Sequence, residues 1–567
     1  MAPQAAAGRT ALPDPPTREL VFKRNSMERL KLEKAPLTII DELPQLIATG
    51  YADIPEEDIV RLKWWGLYHD KPKIGTFMLR IKLPAGRVTP EQLRAVGELA
   101  NEHGRGEGEL STRQTIQLHY LQLASLPLVF DRLAEVGLTT AGACGDAVRN
   151  VTGCPVAGLT HDELFDVTPV IDQVTSFFYG NPDYSNLPRK HKISISACAH
   201  RCNAPEINCI ALVGAIHAGE EGFGVLAGGG LSSVPRLARE LGVFVRKDEA
   251  LPVLRALLDA WQEDLRYRIS RVKARIKFMV DDYGPEGMRA ELERRLGHTL
   301  PDFTLAPHPT THADHLGVQP QKQDGLSTVG IPVHVGLITG DRLIALAALA
   351  EQLGGDVRVT RQQNLVVTSV TERALEETLA AIRVAGFDLD ANPVRGVSIA
   401  CTGEPHCNFS VTETKTRLDS LIQTLEGRLG EQIADLRLHL DGCPHACAQH
   451  WVGDLGFQGT TVRDEAGKRR QAYEIYVRGA LGAEAAIGRP LFRRVPSEDL
   501  DDVVGGLVGG WLERRRPTES FPAFATRSSD QELAALAGIA AAPRKEREKE
   551  AAWPETTRGG DRERRAL

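Results

Sequence analysis

Nine cysteines are spread along the chain, and four of them fall into two short, unlike spacings. Cys401 and Cys407 form C-x5-C in CTGEPHC, and Cys443 and Cys447 form C-x3-C in CPHAC. Four thiolates converging from two adjacent loops make a soft-metal site, the ligand set of an iron-sulfur cluster or of a structural zinc. Zinc sites usually pair two C-x2-4-C knuckles, which the five-residue gap fits less well. Gly403 and Pro444 allow tight turns beside the ligands, so backbone N–H groups can point at sulfur. The first half repeats the second motif as Cys198-Ala-His-Arg-Cys202, but opposite it stands Cys154 without a C-x5-C partner. Cys198 and Cys202 read as relics or packing residues, with a second metal site as the lesser alternative, and Cys209 reads as a buried small hydrophobe.

The elements that position these residues occur twice. Gly75 to Leu121 and Gly330 to Val370 each read as a strand, a Gly turn, an amphipathic helix, a Gly break and a second strand. Thr112-Arg113-Gln114 matches Thr360-Arg361-Gln362 in letters, and downstream KISISACAHRC (Lys192 to Cys202) matches RLHLDGCPHAC (Arg437 to Cys447). Two long copies imply an architectural duplication rather than a solenoid, with a pseudo-two-fold axis and a cofactor between the halves. One helix should fill residues 410–429, and Leu251 to Tyr267 carries apolar residues at helical spacing.

With 42% hydrophobic and 25% charged residues in 567, the chain is globular and long enough for several packing units. A net charge of −7 gives no global field to recruit nucleic acid, so any anion site must be local. No apolar run long enough for a bilayer and no export signal occur, so the expected compartment is the cytoplasm, where clustered cysteines bind metals rather than form disulfides. Residues 1–25 and 540–567 read as disordered tails.

CTGEPHC with CPHAC, the repeated Thr-Arg-Gln, LPRKHK (Leu187 to Lys192) and GGGLSS (Gly228 to Ser233) resemble the siroheme-containing nitrite and sulfite reductases in their single-chain, ferredoxin-dependent form. The likeness runs from about residue 60 to 520. It implies an α+β / α/β, internally duplicated, pseudo-two-fold fold with ferredoxin-like half-domains at 26–140 and 325–390. The larger α/β modules are then 141–324, which binds siroheme, and 391–520, which binds the cluster and siroheme. It also implies a 4Fe-4S cluster held by Cys401, Cys407, Cys443 and Cys447, the last bridging to the siroheme iron, and six-electron reduction of sulfite to sulfide or nitrite to ammonium.

The family's four distal cations map to Arg80, Arg149, Lys190 and Lys192. On alternating backbone Lys190 and Lys192 project together while His191 points away, and clustered cations both attract an oxyanion and supply protons. Siroheme is a polycarboxylate needing cationic or donor partners, for which Arg113, Gln117 and His119 are the natural candidates, with Arg201, Asn203, Arg361 and Arg417 as helpers. Tyr68 and Cys144 precede two active-site segments, and a thioether between them is known in some sulfite-reducing relatives. The lysine pair resembles the sulfite-reducing branch, whereas Cys-Thr-Gly at 401–403 is the form familiar in nitrite reductases. The expectation is sulfite, with nitrite as the alternative. Gly228 to Gly230 is no dinucleotide fingerprint but a tight turn near the cofactor. Electrons therefore come from a small acidic ferredoxin, docked on a local basic patch of a monomeric enzyme. A non-catalytic scaffold binding a tetrapyrrole or RNA would show broken ligand sets.

Overall fold

The computed structural model describes residues 12–308 and 313–542. Two five-stranded sheets make the centre, and each borrows its last strand from the other half of the chain. One runs Leu67–His69, Thr76–Ile81, Ile116–Gln122, Glu107–Leu110, then Leu337–Thr339; its mate runs Gly317–Pro320, Leu326–Ile331, Leu365–Thr371, Val357–Val359, then Arg87–Val88. The exchange is reciprocal across a pseudo-two-fold axis, pairing Leu337 with Glu109 and Val357 with Val88.

Helices Pro90–His103 and Gly340–Leu353 lie back to back at that axis, each started by a threonine side chain, Thr89 and Thr339, that accepts a backbone N–H of the first turn. A Cβ on Gly97 would sit 2.7 Å from Gly340 O, and one on Gly340 would sit 2.5 Å from Gly97 O, so this approach requires glycine at both positions. One apolar core spans both half-domains, with Leu93, Leu346, Val357 and Leu118 all fully buried. Each such side chain contributes roughly 1.5–3 kcal/mol of burial energy, which locks the halves together.

The two larger modules repeat a second plan. Strands Ile193–Ser196, Ile210–His217, Glu220–Ala227 and Arg239–Arg246 form one sheet; Ile399–Ala400, Leu438–Asp441, Leu455–Arg463, Arg469–Val477 and Arg489–Pro496 form the other. The leading pairings are parallel and the rest antiparallel. A bridge from Thr152 to Ser194 stands where Ile399 pairs with His439. The helix between the cysteine pairs covers Lys415–Leu429, and the other expected helix covers Ala250–Glu263.

Three expectations change. Residues 18–24 of the expected N-terminal tail form a helix, capped by Thr17 and anchored by fully buried Val21, while 1–11 lie outside the described residues. The last module does not stop at 520: helices Phe521–Arg527 and Asp530–Ala537 bury Phe521, Phe524 and Leu533 in its core, and Ala542 N donates to Leu491 O. Of the expected C-terminal tail, 543–567 lie outside the described residues.

The Thr-Arg-Gln match is also out of structural register by one residue. Gln114 N donates to Ser111 O, and Gln363 N donates to Thr360 O, each with the glutamine at positive φ. The reciprocal bonds Gln114 Nε2 to Val359 O (3.0 Å) and Gln363 Nε2 to Leu110 O (2.7 Å) fix the same pairing. Arg361 is therefore the counterpart of Thr112, not of Arg113.

Candidate active site

A cavity of about 320 Å³ opens where the first half-domain, the first large module and the cysteine loops meet. Cys401, Cys407, Cys443 and Cys447 line one wall. The loop carrying Cys401 and Cys407 is tied to the first half-domain. Thr402 Oγ1 donates to Glu109 Oε2 (2.6 Å), Asn408 Nδ2 to His69 O (2.8 Å), and Lys71 pairs with Glu404. Gly403 turns at φ 65°, where a Cβ would lie 2.1 Å from Thr414 Oγ1. Gly442 N donates to Cys401 Sγ (3.3 Å), the backbone-to-sulfur bond anticipated from the glycine-bearing loops. Thr112 Oγ1 holds Cys447 O at 2.9 Å. Burial pushes the Cys443 thiol up to about 12 and raises Cys401 and Cys407 as well.

Across the cavity stand the expected cations. Arg80, on strand Thr76–Ile81, gives Nε (2.9 Å) and Nη2 (2.5 Å) to Gln117 Oε1 and Nη1 to Cys144 Sγ (3.1 Å). Arg149 is held by neutral acceptors, Ala143 O at 2.5 Å and Gly145 O at 2.6 Å. Lys190 and Lys192, just before strand Ile193–Ser196, both line the cavity, while His191 is buried against the Trp261 ring, so the expected alternation holds. Burial, with Arg113 and Arg275 nearby, lowers Lys192 to about 7; burial and then Arg189 push Lys190 well below the usual lysine range.

Gln117 and His119 share one face of strand Ile116–Gln122. Gln117 Nε2 donates to Glu109 Oε2 (3.0 Å), and His119 Nδ1 meets Asp70 Oδ1 at 2.9 Å. Burial opposes charge on His119, but Glu109 and Asp70 outweigh it and raise its pKa to about 9; Lys415 and His119 likewise overcome burial to lower Glu109. Arg113 spans to Asn208 Oδ1 (2.8 Å) and Asn150 O (2.5 Å). Tyr68 lines the cavity; burial and then Cys144 raise its hydroxyl to about 12, and Cys144 is a free, fully buried thiol.

Arg201, Asn203 and Arg361 are not part of this wall. Arg201 Nη2 donates to Ala306 O (2.7 Å), and Asn203 is buried. Arg361 gives Nε to Cys202 O (3.2 Å) and Nη1 to Gln449 Oε1 (2.8 Å), as its one-residue register offset from Arg113 dictates. Arg417 bonds Asp501, and the Gly228–Gly230 turn is clasped by Lys277 rather than facing the cavity. Three cations escaped the sequence reading, Lys63, Arg189 and Arg271, all on the lining. Arg189 was legible beside Lys190; Arg271 sits in a segment with no periodicity and arrives only through tertiary packing. Among the described residues no helix is long and apolar enough to cross a membrane.

Comparison with known proteins gives a consistent picture. Residues 144–300 match the nitrite and sulphite reductase 4Fe-4S domain, and residues 69–136 and 319–385 match the nitrite/sulfite reductase ferredoxin-like half domain. The 4Fe-4S match therefore falls on the first large module, while C-x5-C and C-x3-C lie in its repeat. A sulfite reductase [ferredoxin] of Mycolicibacterium paratuberculosis is 34% identical over 90% of this chain and 96% of its own. A ferredoxin–nitrite reductase of Zea mays is also 34% identical, over 85% of this chain and 89% of its own. The solved structure of the Mycobacterium tuberculosis NirA protein superposes with a TM-score of 0.85 at 32% identity, covering 90% of this chain and 97% of that one.

Proposed function

Because the chain belongs to the nitrite and sulphite reductase family, we propose that it is a siroheme and 4Fe-4S enzyme that reduces sulfite to sulfide with electrons from ferredoxin. The residues present fit both groups. Four cysteines line one wall, with a backbone N–H already aimed at one sulfur. Buried Arg113 Nε and Arg149 Nε have no hydrogen-bond partner among the described residues, and these are donors that a polycarboxylate or an oxyanion would engage.

In this reading Cys401, Cys407, Cys443 and Cys447 would hold the cluster, Cys447 would also serve the siroheme, and Arg113, Gln117 and His119 would steady the macrocycle's carboxylates. When bound, the coupled groups supply the electrons and the iron that the chemistry needs. The protein's own work is electrostatic and protic. Arg80 and Arg149, each fixed by neutral acceptors, keep their charge for the anion and orient its oxygens. Departure of oxygen as water consumes protons, and Lys192, with its acidity brought near neutral by burial, is suited to donate them.

The observation that carries the substrate is the lysine pair. Both Lys190 and Lys192 face the cavity, and among the described residues neither has an ion-pair or hydrogen-bond partner, so a dianion entering there would engage both and favour their charged forms. Nitrite is the second reading, favoured by Cys401-Thr402-Gly403 and by the equal identity to the Zea mays enzyme. Turnover of sulfite and of nitrite with one reduced donor, expressed as the ratio of kcat/KM values, tests the choice; a ratio strongly favouring nitrite reverses it.

The proposal places the enzyme in the cytoplasm as a monomer, supported by an exchange of strands that is complete within one chain. It also includes the Tyr68–Cys144 thioether, in which a ring carbon joins Sγ and two hydrogens pass to dioxygen. A tryptic map of the holoprotein with the two peptides unlinked would remove it.

A further inference from the structure

The first large module gathers sulfur ligands of its own. Cys154 follows the extended segment that bridges to strand Ile193–Ser196, and Cys198 and Cys202 stand on the loop after that strand. His315 comes from the segment that leads into the second half-domain. The Sγ atoms of Cys154 and Cys202 and a ring nitrogen of His315 all lie within 4.8 Å of one another, with Cys154 Sγ 3.9 Å from His315 Nε2. Cys198 lies in the same buried cluster as Cys154, with Cys202 packed against it, and all three cysteines are free. Cys154 and Cys198 are 2% and 5% exposed, so two of the donors are already withdrawn from water. His315 is held at φ 55°, an uncommon conformation for a non-glycine residue, with its carbonyl packed where a Cβ on Gly330 would stand.

Three thiols and one imidazole converging from three segments are a tetrahedral N/S donor set, and C-x3-C is a regular zinc knuckle. With Zn–S of about 2.3 Å and Zn–N of about 2.0 Å, tetrahedral geometry asks for S···S of about 3.8 Å and S···N of about 3.5 Å. The donor atoms of Cys154, Cys202 and His315 need only a modest contraction to reach those values. The other module differs. Among the described residues no three of Cys401, Cys407, Cys443 and Cys447 bring their sulfurs within such a radius, as befits a cube with an iron at each corner. Three thiolates and a neutral imidazole around Zn2+ carry one net negative charge, and Arg361, bonded to Cys202 O, lies alongside to offset it.

We propose that Cys154, Cys198, Cys202 and His315 bind a single zinc ion, a structural site at the pseudo-two-fold image of the cluster. The ion pins the segment around His315 to the first module, and the three thiol protons pass to solvent on binding, with no change of oxidation state.

The test uses full-length holoprotein, purified under reducing conditions from zinc-supplemented medium and dialysed against a weak chelator. Plasma mass spectrometry should find about one zinc per chain in addition to the iron. His315→Asn, which tolerates the left-handed backbone, and Cys202→Ser should each drop zinc below about 0.2 per chain while iron content and the visible spectrum stay unchanged. In the unmutated protein, native alkylation should spare Cys154, Cys198 and Cys202 until a strong chelator is added. The proposal is overturned by zinc below about 0.2 per chain in the holoprotein, or by full zinc in both variants. Iron lost in parallel with Cys202, meaning a second cluster, or a disulfide between two of the three cysteines in non-reduced peptide maps, overturns it equally.

Discussion

The two larger modules share a sheet plan and a C-x3-C loop, yet they treat their charges in opposite ways. In the first, Lys192 faces the cavity without a partner and Arg149 is held by neutral carbonyls. At the corresponding positions of the second, Arg437 is paired with Asp314 (2.8 Å) and Arg395 with Glu426 (2.5 Å) and Asp419 (2.7 Å). A carboxylate cancels a cation's reach, whereas a neutral acceptor fixes its geometry and leaves the field intact. The duplicated backbone thus offers two related sets of cation positions, and the choice of acceptor decides which one draws an anion. The soft ligands divide similarly: widely set thiolates with C-x5-C on one side, the compact Cys154, Cys202 and His315 group on the other.

The largest break in this comparison comes from the cysteines. Cys443→Ser should lower ferredoxin-dependent turnover by about a thousand-fold or more with loss of iron, whereas Cys202→Ser should leave it within about twofold. Iron assays and steady-state rates measure both; equal losses would erase the distinction.

Next come the cations. Lys192→Met should cost about 100- to 1,000-fold in kcat for sulfite, as the loss of a positioned proton donor does. Its counterpart Arg437→Met should change kcat less than about threefold, with a stability loss of about 1 kcal/mol in a denaturant titration, since the pair is partly exposed.

A smaller effect is readable in pH. Burial holds the Lys192 ammonium at about 7, so its acid form disappears as pH rises through that value, and turnover should fall on the alkaline side. Lys192→Arg keeps its charge at all these pH values, so the alkaline fall should vanish from a lowered profile. The smallest effect is on donor docking: raising salt should raise the KM for reduced ferredoxin a few-fold with kcat unchanged.

Much of this was readable from the residues. The duplication shows in repeated strand, turn and helix signals, and C-x5-C with C-x3-C shows as a soft-metal site, which only the family resemblance turns into a cluster rather than a zinc. What escaped depends on three-dimensional register. Thr-Arg-Gln repeats as letters, but the glutamines at positive φ, Gln114 and Gln363, set the true alignment and move Arg361 away from the cavity. His315 lies 113 residues after Cys202, too far for any spacing rule, and the helix around Val21 draws its stability from a core that local composition does not reveal.

The most direct measurement is a full cofactor count on purified holoprotein: iron, acid-labile sulfide and extracted tetrapyrrole per chain, with the same count on Cys443→Ser. The expected values are about five irons, four of them in a cluster and one in a macrocycle, with about four sulfides, and iron and sulfide collapse in the variant. Zinc as the sole bound metal, or iron without any tetrapyrrole, would contradict the assignment of this cavity.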